Sequence, residues 1–145
     1  MSSRDEVTER IAAAMRHVIS SSVMTNERIA RTVGLSVVDT QTLGIIAAAE
    51  SPLTAGEVSA ATQLPSSTTT RVLDRLENAG FIERSADPDD RRKVVVSVLP
   101  KMIETMGPAY GGILQELAAM HEDFTVAELE VIARYLEASV GIGRS

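Results

Sequence analysis

Between Leu53 and Leu99 the hydrophobic period of the chain changes from helical to strand-like at a single glycine, Gly80, and few folds accommodate that order of events. Two short helical stretches come first. Thr54 followed three residues later by Glu57 is a capping box, so a helix is expected there with Val58 and Ala61 on its inner face. Thr62, Gln63 and Leu64 leave room only for a tight turn. Pro65 has a preset φ and no backbone donor, which suits the opening of a second helix, with Pro65, Ser66 or Ser67 near its cap. That helix is expected to run to about Asn78, where Ala79 and Gly80 stop it. Two helices joined this way form a helix-turn-helix.

The residues of the second helix divide around its axis. Thr69, Val72, Leu73 and Leu76 fall on one arc and Ser66, Ser67, Thr70, Arg71 and Asp74 on the other. The first arc is fit to pack on a core, whereas the second offers hydroxyls and a guanidinium, groups that suit base edges and phosphates. An ordinary solvated helix face would favour Glu, Lys, Gln and Ala, because hydroxyl-bearing and β-branched residues lower helix propensity. The Ser-Ser-Thr-Thr-Thr run therefore points to a use other than stability.

After Gly80, Phe81 to Ser85 and Lys93 to Leu99 read as strands, the second a β-branched K-V-V-V-S-V-L run. Between them A-D-P-D-D-R-R is a polar turn with a proline and adjacent arginines. A hairpin following a helix-turn-helix is a wing. Arg91 near its tip is placed to enter a minor groove, and Asp90 and Arg92, two apart, to pair and stiffen the loop.

These motifs carry a resemblance. The D-R-L-E, A-G-F-I-E-R and D-P-D-D-R-R segments, at this spacing, resemble the winged helix-turn-helix core of the MarR (multiple antibiotic resistance regulator) family, and the flanking helical segments are similar as well. The resemblance implies that Ser66, Ser67, Thr68, Thr70 and Arg71 read or approach DNA. It also implies that Arg75 touches phosphate or braces the helix, and that Asp90, Arg91 and Arg92 form the family's Asp-x-Arg wing element. Where the family usually has Leu-Thr-Pro-Glu-Gly, this chain has Val98-Leu99-Pro100-Lys101-Met102, so the next helix lacks a threonine cap.

Outside this core the chain is helical. Ser3 to Val33 reads as one long helix with Val7, Ile11, Met15, Val18, Ile19, Ile29 and Val33 as apolar positions, weakened at Ser20-Ser21-Ser22 and ended by Gly34. Ser36 caps a helix from Val37 to about Glu50 that offers Val38, Leu43, Ile46 and Ala47 for packing, and Ser51-Pro52 breaks it. Pro100 opens a stretch to about His121, where Gly107-Pro108 and Gly111-Gly112 point to a kink or a close crossing. Thr125 with Glu128 is a second capping box, launching a last helix to about Val140 before a tail, Gly141-Ile142-Gly143, expected to fray. The expected class is mainly α with a small β-hairpin wing. Residues 1–35 are an N-terminal dimerisation helix, 36–99 the winged helix-turn-helix and 100–145 C-terminal dimerisation helices, in one compact domain of 145 residues.

Composition narrows the function. With 44% hydrophobic but only 3% aromatic residues, the core must be built from aliphatic side chains and Met. The absence of cysteine removes disulfides and thiol switches. No apolar run approaches a membrane span and the N-terminus does not read as a signal peptide, so the cytoplasm is the expected compartment. A net charge of −6 argues against a broad nucleic-acid surface, yet Arg71, Arg75, Arg84, Arg91, Arg92 and Lys93 gather in one segment, balanced by nearby acids. Binding should then rest on a few placed contacts. His17 and His121 stand far apart, and the terminal G-I-G-R-S lacks the strand and helix a phosphate loop needs, so neither catalysis, a metal nor a cofactor is implied.

The terminal helices carry more apolar surface than one small winged domain covers, which points to a symmetric dimer. Two recognition helices about one DNA turn apart would read an inverted-repeat operator on double-stranded DNA. The reading is a sequence-specific transcriptional regulator, a repressor released by a small-molecule effector. In the resembling family such molecules bind between the dimer helices and the winged domain, which makes Met15, His17, Met24, Met106 and Tyr110 candidate pocket walls. The alternative is a winged-helix module that binds a protein instead of DNA.

Overall fold

The structure is a computed structural model, and it describes residues 2–143. Met1, Arg144 and Ser145 lie outside the described residues, and with them the end of the G-I-G-R-S stretch. The element order is α1 (Ser3–Thr32), α2 (Val37–Ala48), β1 (Leu53–Thr54), α3 (Ala55–Thr62), α4 (Ser66–Asn78), β2 (Ile82–Ala86), β3 (Val94–Val98), α5 (Pro100–His121) and α6 (Val126–Ser139). The chain divides into two compact units, one up to Met106 and one from Gly107 onward.

In the first unit, capping decides where the helices start. Ser2 with Asp5, Ser36 with Asp39 and Thr54 with Glu57 are complete capping boxes for α1, α2 and α3. The turn between α3 and α4 passes through Gln63 in the left-handed region at φ 59°. It is held by Ser59 Oγ, which donates to the Leu64 carbonyl at 2.7 Å, and by Thr62, whose hydroxyl donates to the Val58 carbonyl at 2.8 Å. Gly80 leaves α4 at φ 82°, a conformation that costs any residue with a Cβ.

α2 and α3 both pack on α4, and the core they share is aliphatic: Leu43, Val58, Val72, Leu73 and Leu76 are wholly buried. Phe81, Ile82, Val95 and Val96 continue it beneath the sheet. Thr69, Val72, Leu73 and Leu76 are the inward arc of α4, as the helical period indicates. Ala61, Val38 and Ala47, expected inside, are exposed, because α3 and α2 each bury only a narrow stripe. On α1 the apolar positions behave differently from their period: Ile29 is buried, while Val7, Ile11, Val18 and Ile19 are exposed. α1 also runs through Ser20-Ser21-Ser22 without interruption.

The wing is a three-stranded antiparallel sheet in the order β1-β3-β2, one strand more than the hairpin the sequence shows. Ile82 faces Val98 and Ala86 faces Val94 across the hairpin, and Leu53 and Thr54 add to β3 opposite Val96 and Val95. Two residues are too few for a period, so β1 left no alternation to read.

Leu99 stands where the resembling family has its threonine, and Lys101, two residues on, closes the end of α4. Its ammonium donates to the Ala79 carbonyl at the end of α4, 5.1 Å from the centre of the Phe81 ring, where a cation meets both a helix C-terminus and an aromatic face. α5 is assigned unbroken through Gly107-Pro108 and Gly111-Gly112, with Pro108 inside it, where the sequence points to a kink or close crossing. A proline removes only one intrahelical bond, and the rest of the ladder persists. In the second unit, Thr125 and Glu128 cap α6, and α6 buries none of its side chains.

Candidate nucleic-acid interface

α4 presents its first turn differently from its neighbours. Pro65 is the N-cap and makes no side-chain cap bond, and the first turn holds no acid. Among the described residues the N–H groups of Ser66, Ser67 and Thr68 have no acceptor, and the intrahelical ladder starts with Thr69 N–H to the Pro65 carbonyl at 2.9 Å. The positive end of the helix dipole is thus left open beside exposed Ser66 and Ser67, half-buried Thr68, and Thr70 and Arg71, both exposed. Arg71 has no ion-pair partner among the described residues.

The other charges on α4 are committed. Arg75 grips Asp39 of α2 with Nε at 3.2 Å from Oδ1 and 3.3 Å from Oδ2, and with a terminal nitrogen 2.8 Å from Oδ1. The Asp39 side chain is 4% exposed and that of Arg75 52%. The same carboxylate accepts from the Ser36 N–H at 3.2 Å in the α2 capping box, so one residue anchors the starts of α2 and the middle of α4. Burial would raise the Asp39 pKa, but hydrogen bonds from Arg75 and Ser36 with the Arg75 charge bring it below the ordinary aspartate range. Of the two roles open to Arg75, the structure displays the brace.

Arg84 on β2 is a second clasp. Its guanidinium donates to Asp74 and, at 3.2 Å, to Glu77 Oε1, and its backbone N–H donates to Glu77 Oε2 at 2.9 Å. These bonds hold the Glu77 carboxyl below its usual pKa. Asp74, placed by the period on the outward arc with Ser66 and Arg71, is therefore bonded to the wing. Neither Asp39 nor Arg84 was legible as a bracing residue, since no helical or strand period pairs α2 with α4 or α4 with β2.

At the wing tip the Asp90–Arg92 pair forms as the spacing indicates. Arg92 Nε lies 3.1 Å from Asp90 Oδ1, and the Arg92 N–H donates to the same oxygen at 3.1 Å, which lowers the Asp90 pKa. Asp87 N–H to the Lys93 carbonyl and Lys93 N–H to the Asp90 carbonyl, both 2.9 Å, close the loop. Arg91 and Lys93 remain exposed, without side-chain partners among the described residues.

The candidate pocket residues are less collected. His17 and Met24 line an open depression along α1 with Arg16 and Ser20, Met15 is half-buried, and Met106 is buried. Tyr110 belongs to the second unit, where a separate apolar depression is lined by Phe124, Val131 and Ile132. Among the described residues no group of three or more His, Cys, Asp or Glu is able to hold a metal, and no helix is long and apolar enough to cross a membrane.

Residues 33–93, which contain α2, α3, α4 and the wing up to Lys93, match the MarR family model. An uncharacterized HTH-type transcriptional regulator of Bacillus subtilis, YcgE, is 29% identical over 140 residues, 97% of this chain and 90% of the relative. Among solved structures, RV1404 of Mycobacterium tuberculosis has a TM-score of 0.70 at 21% identity, covering 100% of this chain and 97% of its own. A mutant MepR of S. aureus bound to an oligodeoxyribonucleotide has a TM-score of 0.61 at 19% identity, covering 90% and 96%. Over residues 33–93, its winged helix-turn-helix core, the chain is similar to the MarR family.

Proposed function

We propose that the protein is a sequence-specific DNA-binding repressor that acts as a homodimer on an inverted-repeat operator in the cytoplasm. The observation that carries the reading is the contrast on α4: its uncapped N-terminus, the Ser66 and Ser67 hydroxyls and Arg71 are unengaged, while Arg75, Asp74 and Glu77 are bound within the fold. Helix N-terminal residues of this motif reach base edges while N–H groups and hydroxyls hold phosphates. Arg91, beside the stiffened Asp90–Arg92 turn, serves the minor groove. The oligodeoxyribonucleotide on the MepR relative supports the same partner class.

The dimer reading rests on the terminal helices. Val18, Val23 and Met24 on α1, and Val126, Val131 and Leu136 on α6, are all at least half exposed, more apolar surface than a lone chain usually presents. A small-molecule effector at Met15, His17, Met24 and Met106 belongs to this reading, with the depression beside His17 and Met24 as its support.

The test is Arg71→Ala and Arg91→Ala, each measured by electrophoretic mobility shift on DNA selected by the wild type, with sedimentation velocity on the same samples. Loss of specific binding with unchanged sedimentation supports the reading. Unchanged specific binding in both variants removes Arg71 and Arg91 from the interface, and failure of the wild type to select any sequence rejects the reading in favour of a protein-binding module.

A further inference from the structure

Thr70 stands on the exposed arc of α4, yet its hydroxyl is turned onto its own helix: Oγ1 donates to the Ser66 carbonyl at 3.0 Å. What the residue then offers outward is its methyl group. The longer polar side chains that read bases are nearly all unavailable around it. Asp74 and Glu77, which would accept from cytosine, are held by Arg84, and Arg75 is held by Asp39. The one amide on the helix, Asn78, stands at its last position, about 12 Å along the axis from Thr70 at 1.5 Å per residue. Only Arg71 keeps an unengaged fork.

From this division of labour we infer that Thr70 is a specificity-determining residue that reads a thymine through its methyl group, while Arg71 reads a guanine in the same half-site. The inference rests on the DNA-binding reading above. Apolar contact with the thymine C5-methyl and bidentate arginine to guanine O6 and N7 are the major-groove contacts that make use of a methyl group and a free guanidinium fork.

The test uses the full chain. Binding sites are selected from random duplexes, and each thymine of the selected half-site is replaced in turn by deoxyuridine, which lacks only the methyl. The expected result is one thymine per half-site at which deoxyuridine weakens wild-type binding about fourfold, the ~0.8 kcal/mol of one buried methyl. Thr70→Ser, which keeps the hydroxyl and loses the methyl, should bind thymine and deoxyuridine duplexes equally. Thr70→Val, which keeps a methyl and loses the hydroxyl, should retain the discrimination. Thermal melts establish that both variants are folded. A wild type indifferent to every deoxyuridine, or a Thr70→Ser protein that still discriminates, overturns the inference while leaving the DNA-binding reading in place. Failure of the wild type to select any sequence overturns both.

Discussion

Thr69 is buried to 1% exposure on the inward arc of α4, and its Oγ1 has no hydrogen-bond partner among the described residues. A buried hydroxyl that gives up water without a partner costs about 1–3 kcal/mol, so the isosteric Thr69→Val should raise stability by about 1 kcal/mol. A denaturant melt checks it, and a fall in the midpoint would mean that the hydroxyl has a partner. Thr70, one residue on, has the same chemistry and the opposite fate, because the helix carries it to the exposed face and its own backbone satisfies it. The division of α4 into these two arcs was legible residue by residue from the 3.6-residue period. Which hydroxyl would be left without a partner was not, since that depends on what packs against it.

Asp39 ties two elements together, and its removal should register in both. Asp39→Asn keeps a side chain able to cap α2 but takes the charge from Arg75. It should cost about 2 kcal/mol near neutral pH, in the range of hydrogen bonds to charged groups. Because the folded-state pKa of Asp39 lies below its unfolded value, its contribution is complete above that unfolded value and vanishes as pH falls through the depressed folded one. Melts of wild type and variant should therefore converge only below about pH 4, the ordinary carboxylate range; a constant gap down to pH 2 would contradict the pairing. The second clasp has a different signature. Arg84→Ala frees the Asp74 and Glu77 carboxylates on the face of α4 that the wing had neutralised. The ion pairs are partly exposed, so stability should change by less than about 1 kcal/mol. DNA affinity should nevertheless fall several-fold, measured by anisotropy at low salt, as two unpaired negative charges approach phosphate.

At the scale of the molecule, the exposed apolar faces of α1 and α6 and the net charge of −6 make separate predictions. Leu136 is 50% exposed, so Leu136→Glu should leave the melting of a single chain nearly unchanged. Under the dimer reading it should shift sedimentation equilibrium from dimer to monomer and abolish inverted-repeat binding. A dimeric wild-type mass that Leu136→Glu does not alter would remove this face from the interface. The charge balance bears on salt. With Arg71, Arg91 and Lys93 as the unpaired cations of α4 and the wing in each chain of the proposed dimer, the logarithmic salt slope of operator binding should be about −5, shallower than for a basic-patch protein. A slope near −10 would mean that the internal clasps open on DNA.

Capping boxes at Ser36, Thr54 and Thr125, the helix stops at Gly34 and Gly80, the two arcs of α4 and the Asp90–Arg92 turn were all determined by the sequence itself. Each is a local interaction within four residues, and its geometry follows from backbone chemistry alone. Only the tertiary structure decided the rest: β1 joining the wing, Asp39 reaching Arg75, Arg84 drawing Asp74 and Glu77 away from the outward face, and Lys101 closing the end of α4. These contacts join positions from 7 to 36 residues apart for the side-chain pairs and farther for the strands. No periodicity carries that information, because it is the packing of the aliphatic core that brings such positions together.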